Sequence, residues 1–140
     1  MILVAGLTPA WQQIAVLDRL RAGEVNRARE VHWCASGKVL NVGLALTQLT
    51  TPSRTLSLVG SGPAGAAMRH DMEQLGVHVR WIAAAAPQRV CTTLLDRESG
   101  STTEIVENFP SATPQELQAF ATAFAEEAAA FNVDFVVLTG

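Results

Sequence analysis

The sequence predicts an α/β fold built around a parallel sheet, with a small β lid attached and part of the sandwich missing. Three observations predict it. Short apolar runs alternate with helix-period segments in a β-α-β rhythm, and a polar Val- and Arg-containing hairpin interrupts that rhythm early. The last apolar run, Phe135 to Leu138, has no covering helix after it, as if the chain were half of a larger domain or completed itself with a partner.

Composition sets the outer limits. A chain of 140 residues, 49% apolar and 16% charged, suits one domain able to bury a core. A net charge of -3 argues against a nucleic-acid surface, because such surfaces draw their affinity from clustered Lys and Arg. Cys34 and Cys91 form no CxxC pair, and His32, His70 and His78 are scattered, so packed, reduced thiols in a cytoplasmic protein are expected and no metal is assigned. No basic n-region precedes the first apolar run and no stretch approaches the ~20 apolar residues of a membrane span, so neither a secretory signal nor a membrane segment is expected.

In chain order, Ile2 to Leu7 is a short apolar run that reads as a central buried strand, closed by the turn signal Thr8-Pro9. Trp11 to Leu20 and Glu24 to Trp33 read as a half-exposed hairpin linked by Arg21-Ala22-Gly23. A buried helix follows from about Ser36 through Leu49, then a break at Thr51-Pro52-Ser53 and an apolar strand from Thr55 to Val59. Pro63 suits the first turn of a second helix, whose Ala64, Ala67, Met68, Met72 and Leu75 recur at three- and four-residue steps until Gly76 stops it. Three β-like segments, 77–82, 89–95 and 102–106, come next, with the alanines of 83–86 as a loop or strand end. Thr113-Pro114-Gln115-Glu116 combines an N-cap, a proline at N1 and the Glu of a capping box, and Leu117, Phe120, Phe124, Ala128 and Phe131 mark the buried face of the helix it starts. The expected division is a core of residues 1–10, 36–76 and 113–140, and a lid made of the 11–34 hairpin plus strands within 77–107.

The stretch Cys34 to Gly43 is the candidate ligand site. Ser36 and Gly37 fall where a helix begins, and the first N–H groups of a helix have no internal partner and sit at its positive end, so backbone alone can hold a phosphate there. Lys38, the only lysine of the chain, adds a charge, and Asn41 lies on the same helical face. The same residues also fit an ordinary serine N-cap with a solvated lysine. A second motif, Gly60-Ser61-Gly62-Pro63-Ala64-Gly65, has G-x-G-x-x-G spacing between a strand and a helix, yet the region roughly twenty residues on, Arg80-Trp81-Ile82-Ala83-Ala84, offers no acid for a ribose. A tight strand-to-helix turn is the expectation there.

Taken together, the chain resembles the N-terminal half of the ribokinase-like (PfkB) carbohydrate kinase family, on its phosphosugar branch of 1-phosphofructokinase and tagatose-6-phosphate kinase. Thr8-Pro9-Ala10 is similar to the family's Asn-Pro-Ala, Gly23-Glu24-Val25-Asn26-Arg27 matches its Gly-Glu-Val-Asn-Arg, and Ser36-Gly37-Lys38-Val39-Leu40-Asn41-Val42 is similar to Gly-Gly-Lys-Gly-Ile-Asn-Val. Further on, Gln88-Arg89 sits where the family has Thr-Arg, Thr103-Glu104-Ile105 matches Thr-Glu-Ile, and Val136-Val137-Leu138-Thr139-Gly140 is similar to Val-Val-Leu-Ser-Gly.

The resemblance implies a partial ribokinase-like three-layer sandwich with a small β lid, its C-terminal half missing, and an ATP-dependent phosphosugar kinase activity. It implies that Lys38 and Arg89 bind the substrate phosphate, that Asn41 and the Gly37 backbone contact the sugar, and that Arg27 reaches in from the lid. Gln12 stands where the family has a substrate-binding Asp; it can accept a hydrogen bond but is no carboxylate. Ser36 and Val39 replace two glycines, and a β-branched valine would conflict with a positive φ. The family's anion hole, catalytic base and adenine site belong to its other half, so ATP and Mg²⁺ are implied cofactors without a site in this chain and no catalytic residue is assigned. The alternative is a non-catalytic truncated relative that binds phosphosugars or dimerises through its lid, and a homodimer through the lid is the expected assembly. Arg80, Arg97 and Glu107 fit either surface charges or lid contacts, with surface charges the expectation, and His70-Asp71 is expected as part of a solvated face.

Overall fold

The structure, a computed structural model, describes residues 1–140. It contains β1 (Ile2–Gly6), β2 (Ala10–Leu17), β3 (Glu30–Ser36), α1 (Lys38–Gln48), β4 (Ser53–Ser61), α2 (Gly62–Gln74), β5 (Val79–Pro87), β6 (Val90–Asp96), β7 (Thr102–Val106), α3 (Pro114–Ala130) and β8 (Phe135–Leu138). These strands form two sheets. One has the order β5-β4-β1-β8 and is parallel throughout; the other has the order β3-β2-β6-β7 and is mixed.

The parallel sheet is the middle of three layers. Successive residues of a strand face opposite sides, so Val4 turns toward α1 and α2, where Val39, Leu40, Met68 and Met72 pack, while Leu3 and Ala5 turn toward α3. β1 is thereby buried on both faces, as its unbroken apolar run requires. Phe120, Phe124 and Ala128 of α3 pack on that second face, whereas Leu117 stays half exposed. The capping box at the start of α3 forms: Thr113 Oγ1 accepts the Glu116 N–H at 3.2 Å, and Glu116 Oε2 accepts the Thr113 N–H at 2.8 Å. The other carboxylate oxygen of Glu116 accepts the Ala85 N–H at 2.8 Å, which ties the helix start to the edge strand β5. No helix is long and apolar enough to cross a membrane.

Four elements differ from the sequence expectation. Segment 77–82 belongs to the core and not to the lid: β5 pairs in parallel with β4, and it continues through the alanines of 83–86 to Pro87, past a register shift between Val59 and Ser61. The hairpin is shorter, β2 ending at Leu17 and β3 starting at Glu30. Asn26 folds the intervening loop on itself, accepting the Arg21 N–H and donating to the Arg21 and Glu24 carbonyls, so the side chain supplies bonds that a strand ladder would otherwise provide. Ser36 is the last residue of β3 and caps nothing; Gly37 takes the N-cap position with φ 99°. Val39 is helical and buried, so the feared clash with a positive φ does not arise.

The surface charges expected at Arg80 and at Asp71 turn out to be structural. Glu127, on the buried face of α3 and only 5% exposed, receives Arg54 Nε at 3.1 Å and Arg80 at 3.3 Å, and Arg80 also pairs with Glu126. A buried carboxylate needs such partners. Asp71 Oδ2 accepts the Ala35 N–H at 2.7 Å and pins α2 to the lid strand β3.

Candidate functional site

The cleft lies where the mixed sheet meets the start of α1. It has a volume of about 440 Å³ and is lined by Gln12 from β2, Gly37 and Lys38 at the head of α1, Asn41 one turn later, and Arg89 from the β5–β6 connection. Five of the six residues proposed from the sequence therefore share one cavity. Arg27 does not: it sits on the exposed 18–29 loop outside the cleft. Cys91 and Glu104 also line it, so two cations face one carboxylate.

The head of α1 carries no side-chain cap and no acid in its first turn. Its leading N–H groups therefore have neither an internal partner nor a competing anion, which is the arrangement that binds phosphate or carboxylate. Gly37 is required for it. A Cβ at that position would stand 2.9 Å from the Pro9 Cα and 3.0 Å from the Thr8 carbonyl, and the φ of 99° is one that side chains disfavour. The serine-cap reading of this segment is thus not the one that forms.

The two cations are held differently. Arg89 donates through Nε to the Pro9 carbonyl at 3.1 Å, and through its terminal nitrogens to the Thr8 carbonyl at 2.8 Å and the Glu107 carbonyl at 3.5 Å. Of five N–H donors, two remain for a ligand, on a guanidinium whose plane is already fixed. Glu107, expected as a surface charge, accepts the Val90 N–H at 2.8 Å through its side chain and so holds the same crossing from the other side. Lys38 makes only a 3.4 Å contact to the Gly140 carbonyl and is otherwise exposed, free to swing toward an incoming anion. Gln12 donates from Nε2 to Thr93 Oγ1 at 2.6 Å and to the Gln13 carbonyl at 3.4 Å, while no protein donor reaches its Oε1. It therefore presents an acceptor oxygen, as an Asp would, without the charge.

Cys34 and Cys91 flank Gln12 on neighbouring strands, one on each side. That places them two strand spacings apart, roughly 9.5 Å, beyond the reach of a disulfide. Both are free thiols, and burial, then the nearby Asp71 charge, push the Cys34 thiol up. No three His, Cys, Asp or Glu side chains converge on a point that could hold a metal ion.

Sequence reasoning missed Gln88, Thr93, Glu107 and Asp71. For Asp71 a signal existed, since it falls between Met68 and Leu75 in the helical stripe read as buried. The others bond to groups that are remote in sequence and carry no local mark.

Residues 1–140 match the pfkB family carbohydrate kinase profile. The chain belongs to the pfkB family of carbohydrate kinases. Among solved structures, all of this PfkB chain overlays the possible 1-phosphofructokinase of Thermotoga maritima with a TM-score of 0.88 and 20% identity, covering 45% of that protein. The tetrameric inhibited form of Escherichia coli phosphofructokinase-2 overlays 99% of the chain with a TM-score of 0.87 and 16% identity, 44% of its own length being covered. The same enzyme in complex with fructose-6-phosphate overlays 100% of the chain with a TM-score of 0.84 and 17% identity, over 46% of its length. The PfkB chain thus spans less than half of these neighbours, and its two sheets and three helices form part of the ribokinase-like fold.

Proposed function

We propose that these 140 residues are the lid and substrate-binding half of a phosphosugar kinase, and that the cleft between β2, β6, β7 and α1 receives the sugar phosphate. The observation that carries this is the uncapped head of α1 with Lys38 and Arg89 beside it in one cavity. A phosphate monoester carries close to two negative charges near neutral pH, which two cations and a helix start can balance where a neutral sugar would leave them unpaired. In this reading Gln12 Oε1 and Asn41 take sugar hydroxyls, and Arg27 contributes only if the 18–29 loop moves. ATP with Mg²⁺ would be held by residues outside this set, so the 140 residues alone bind without turning over.

Homodimerisation through the lid is part of the same proposal. Strand register puts Trp33, Gln13, Thr92 and Ile105 in one row on the face opposite Gln12 and Glu104, and Val31 in the next row. Trp33, Val31 and Ile105 are each about half exposed, an apolar patch that a second copy would cover.

Titration calorimetry with fructose 6-phosphate, tagatose 6-phosphate and fructose 1-phosphate, against the unphosphorylated sugars, tests the cleft. At least one phosphorylated sugar should bind, and Lys38→Ala should weaken it by about tenfold or more, as loss of a charge-assisted hydrogen bond predicts. Equal binding of free and phosphorylated sugars would remove the proposal, and so would phosphoryl transfer from ATP by the 140 residues alone.

A further inference from the structure

We infer that Gln88 is a positioning residue that sets the angle between lid and core, although its side chain does not line the cleft; the inference rests on the phosphosugar reading of that cleft. Three passages between the two sheets meet at one point: Thr8-Pro9 between β1 and β2, Gly37 between β3 and α1, and Gln88-Arg89 between β5 and β6. Gln88 is the buried centre of that point, 5% exposed. Its Oε1 accepts the Gly60 N–H at 2.8 Å, and its Nε2 donates to the Pro9 carbonyl at 3.0 Å and the Arg89 carbonyl at 3.3 Å.

One amide therefore joins the end of β4, in the core, to the root of β2, in the lid. The backbone continues the connection, since Gln88 N–H donates to the Ser61 carbonyl at 3.0 Å and Trp11 N–H to the Arg89 carbonyl at 3.1 Å. Gly60 makes room for it: a Cβ there would stand 2.3 Å from the Gln88 nitrogen. Elsewhere lid and core are joined by few polar contacts, the Asp71 to Ala35 bond being the other across the layers. Gln12 and Glu104 face Lys38 and Asn41 from opposite sides of the cleft. A ligand that touches both sides needs them held to within about 0.5 Å, and the residue that fixes their relation is the one bonded to both bodies.

The amide is also specific in its chemistry. It offers an acceptor to Gly60 and donors to Pro9 and Arg89 at once, which neither an alkyl group nor a carboxylate can do. A protonated carboxyl restores two of the three bonds, its carbonyl accepting from Gly60 and its single O–H donating to Pro9. Trp11 provides a reporter: it is bonded to Arg89 next to Gln88 and packs against the core cluster of Val39, Met68 and Met72, so its near-ultraviolet circular dichroism follows how the root of the lid sits on the core.

The test compares wild type, Gln88→Ala and Gln88→Glu by titration with fructose 6-phosphate and with inorganic phosphate, and by tryptophan near-ultraviolet circular dichroism, to which Trp11 at the lid–core contact contributes. Gln88→Ala should lose about tenfold in fructose 6-phosphate affinity, the equivalent of about 1.4 kcal/mol. Inorganic phosphate, which needs Lys38, Arg89 and the head of α1 but no contact from Gln12, should lose less, because the Arg89 guanidinium keeps its own bonds to Thr8 and Pro9. The tryptophan signal should change in both variants at neutral pH, and in Gln88→Glu it should return toward that of wild type on acidification, as the protonated side chain again donates to Pro9. If Gln88→Ala does not fold, this acid recovery carries the test. Equal loss for both probes with an unchanged tryptophan signal overturns the inference, as does a wild-type signal in Gln88→Glu at every pH. If wild type binds neither probe, the phosphosugar reading falls, and the hinge stands or falls on the tryptophan signal alone.

Discussion

Asp71 illustrates how a single residue acquires its role from a partner far along the chain. Its carboxylate accepts the N–H of Ala35, a strand group that β2 does not pair, and Asp71→Ala would leave that donor without a partner. A loss of about 1–3 kcal/mol is expected, read as a lower urea midpoint with an unchanged slope. Asp96 makes a prediction about pH. It is 9% exposed and accepts the N–H groups of Leu20 and Ser99 at 3.0 Å each, and these bonds, Leu20 first, hold its carboxyl below the usual range. A depressed carboxyl contributes stability that is present above its unfolded value, about 3.9, and is lost as pH falls through the folded one. Hydrogen-exchange protection in 18–29 and 97–101, relative to the intrinsic rate at each pH, should therefore fall on acidification below about pH 4, and Asp96→Asn should flatten that dependence.

At the level of elements, the decisive feature is that α1 begins without a cap. Ser36 was available as one, but the last pairing of β3 with β2, Ser36 opposite Ala10, keeps it in the strand and moves the start of the helix to Gly37. The consequence is an open set of N–H groups beside Lys38 and Arg89. Gly37→Ala should cost about 1–3 kcal/mol in backbone strain, before the contact with Pro9 is counted, and should displace the first turn of α1. Thermal unfolding measures the first effect, and loss of phosphosugar binding in protein that is still folded measures the second. α3 is the contrasting case. Its Thr113-Pro114-Gln115-Glu116 start is satisfied within itself, and local chemistry sufficed to locate it.

For the molecule as a whole, the uncovered side is β8. Phe135 is 69% exposed and Leu138 73%, on an edge strand of a parallel sheet whose central strands β1 and β4 are buried. An edge of this kind offers unpaired backbone groups and apolar side chains together. The isolated 140 residues should therefore associate as concentration rises, and Leu138→Lys should reduce that association in sedimentation velocity while leaving the helical circular dichroism unchanged. The lid patch around Trp33 is on the other sheet, so Trp33→Lys should separate lid-mediated dimers from edge-mediated association.

The amino-acid order by itself determined the elements whose signals are local. These are the apolar strand at 2–6, the helices begun at Pro63 and at Thr113, and the cluster of Gly37, Lys38 and Asn41, because periodicity, proline and capping chemistry act over a few residues. Only the tertiary structure decided that segment 79–87 joins the core sheet, that Arg27 stays outside the cleft, that Gln88 and Asp71 hold the lid to the core, and that Glu107 ties the end of β7 to the start of β6. Each of those outcomes depends on which strand lies beside which. A polar side chain finds a carbonyl or an amide eighty residues away only once the two sheets have met, and no pattern along the chain records that meeting.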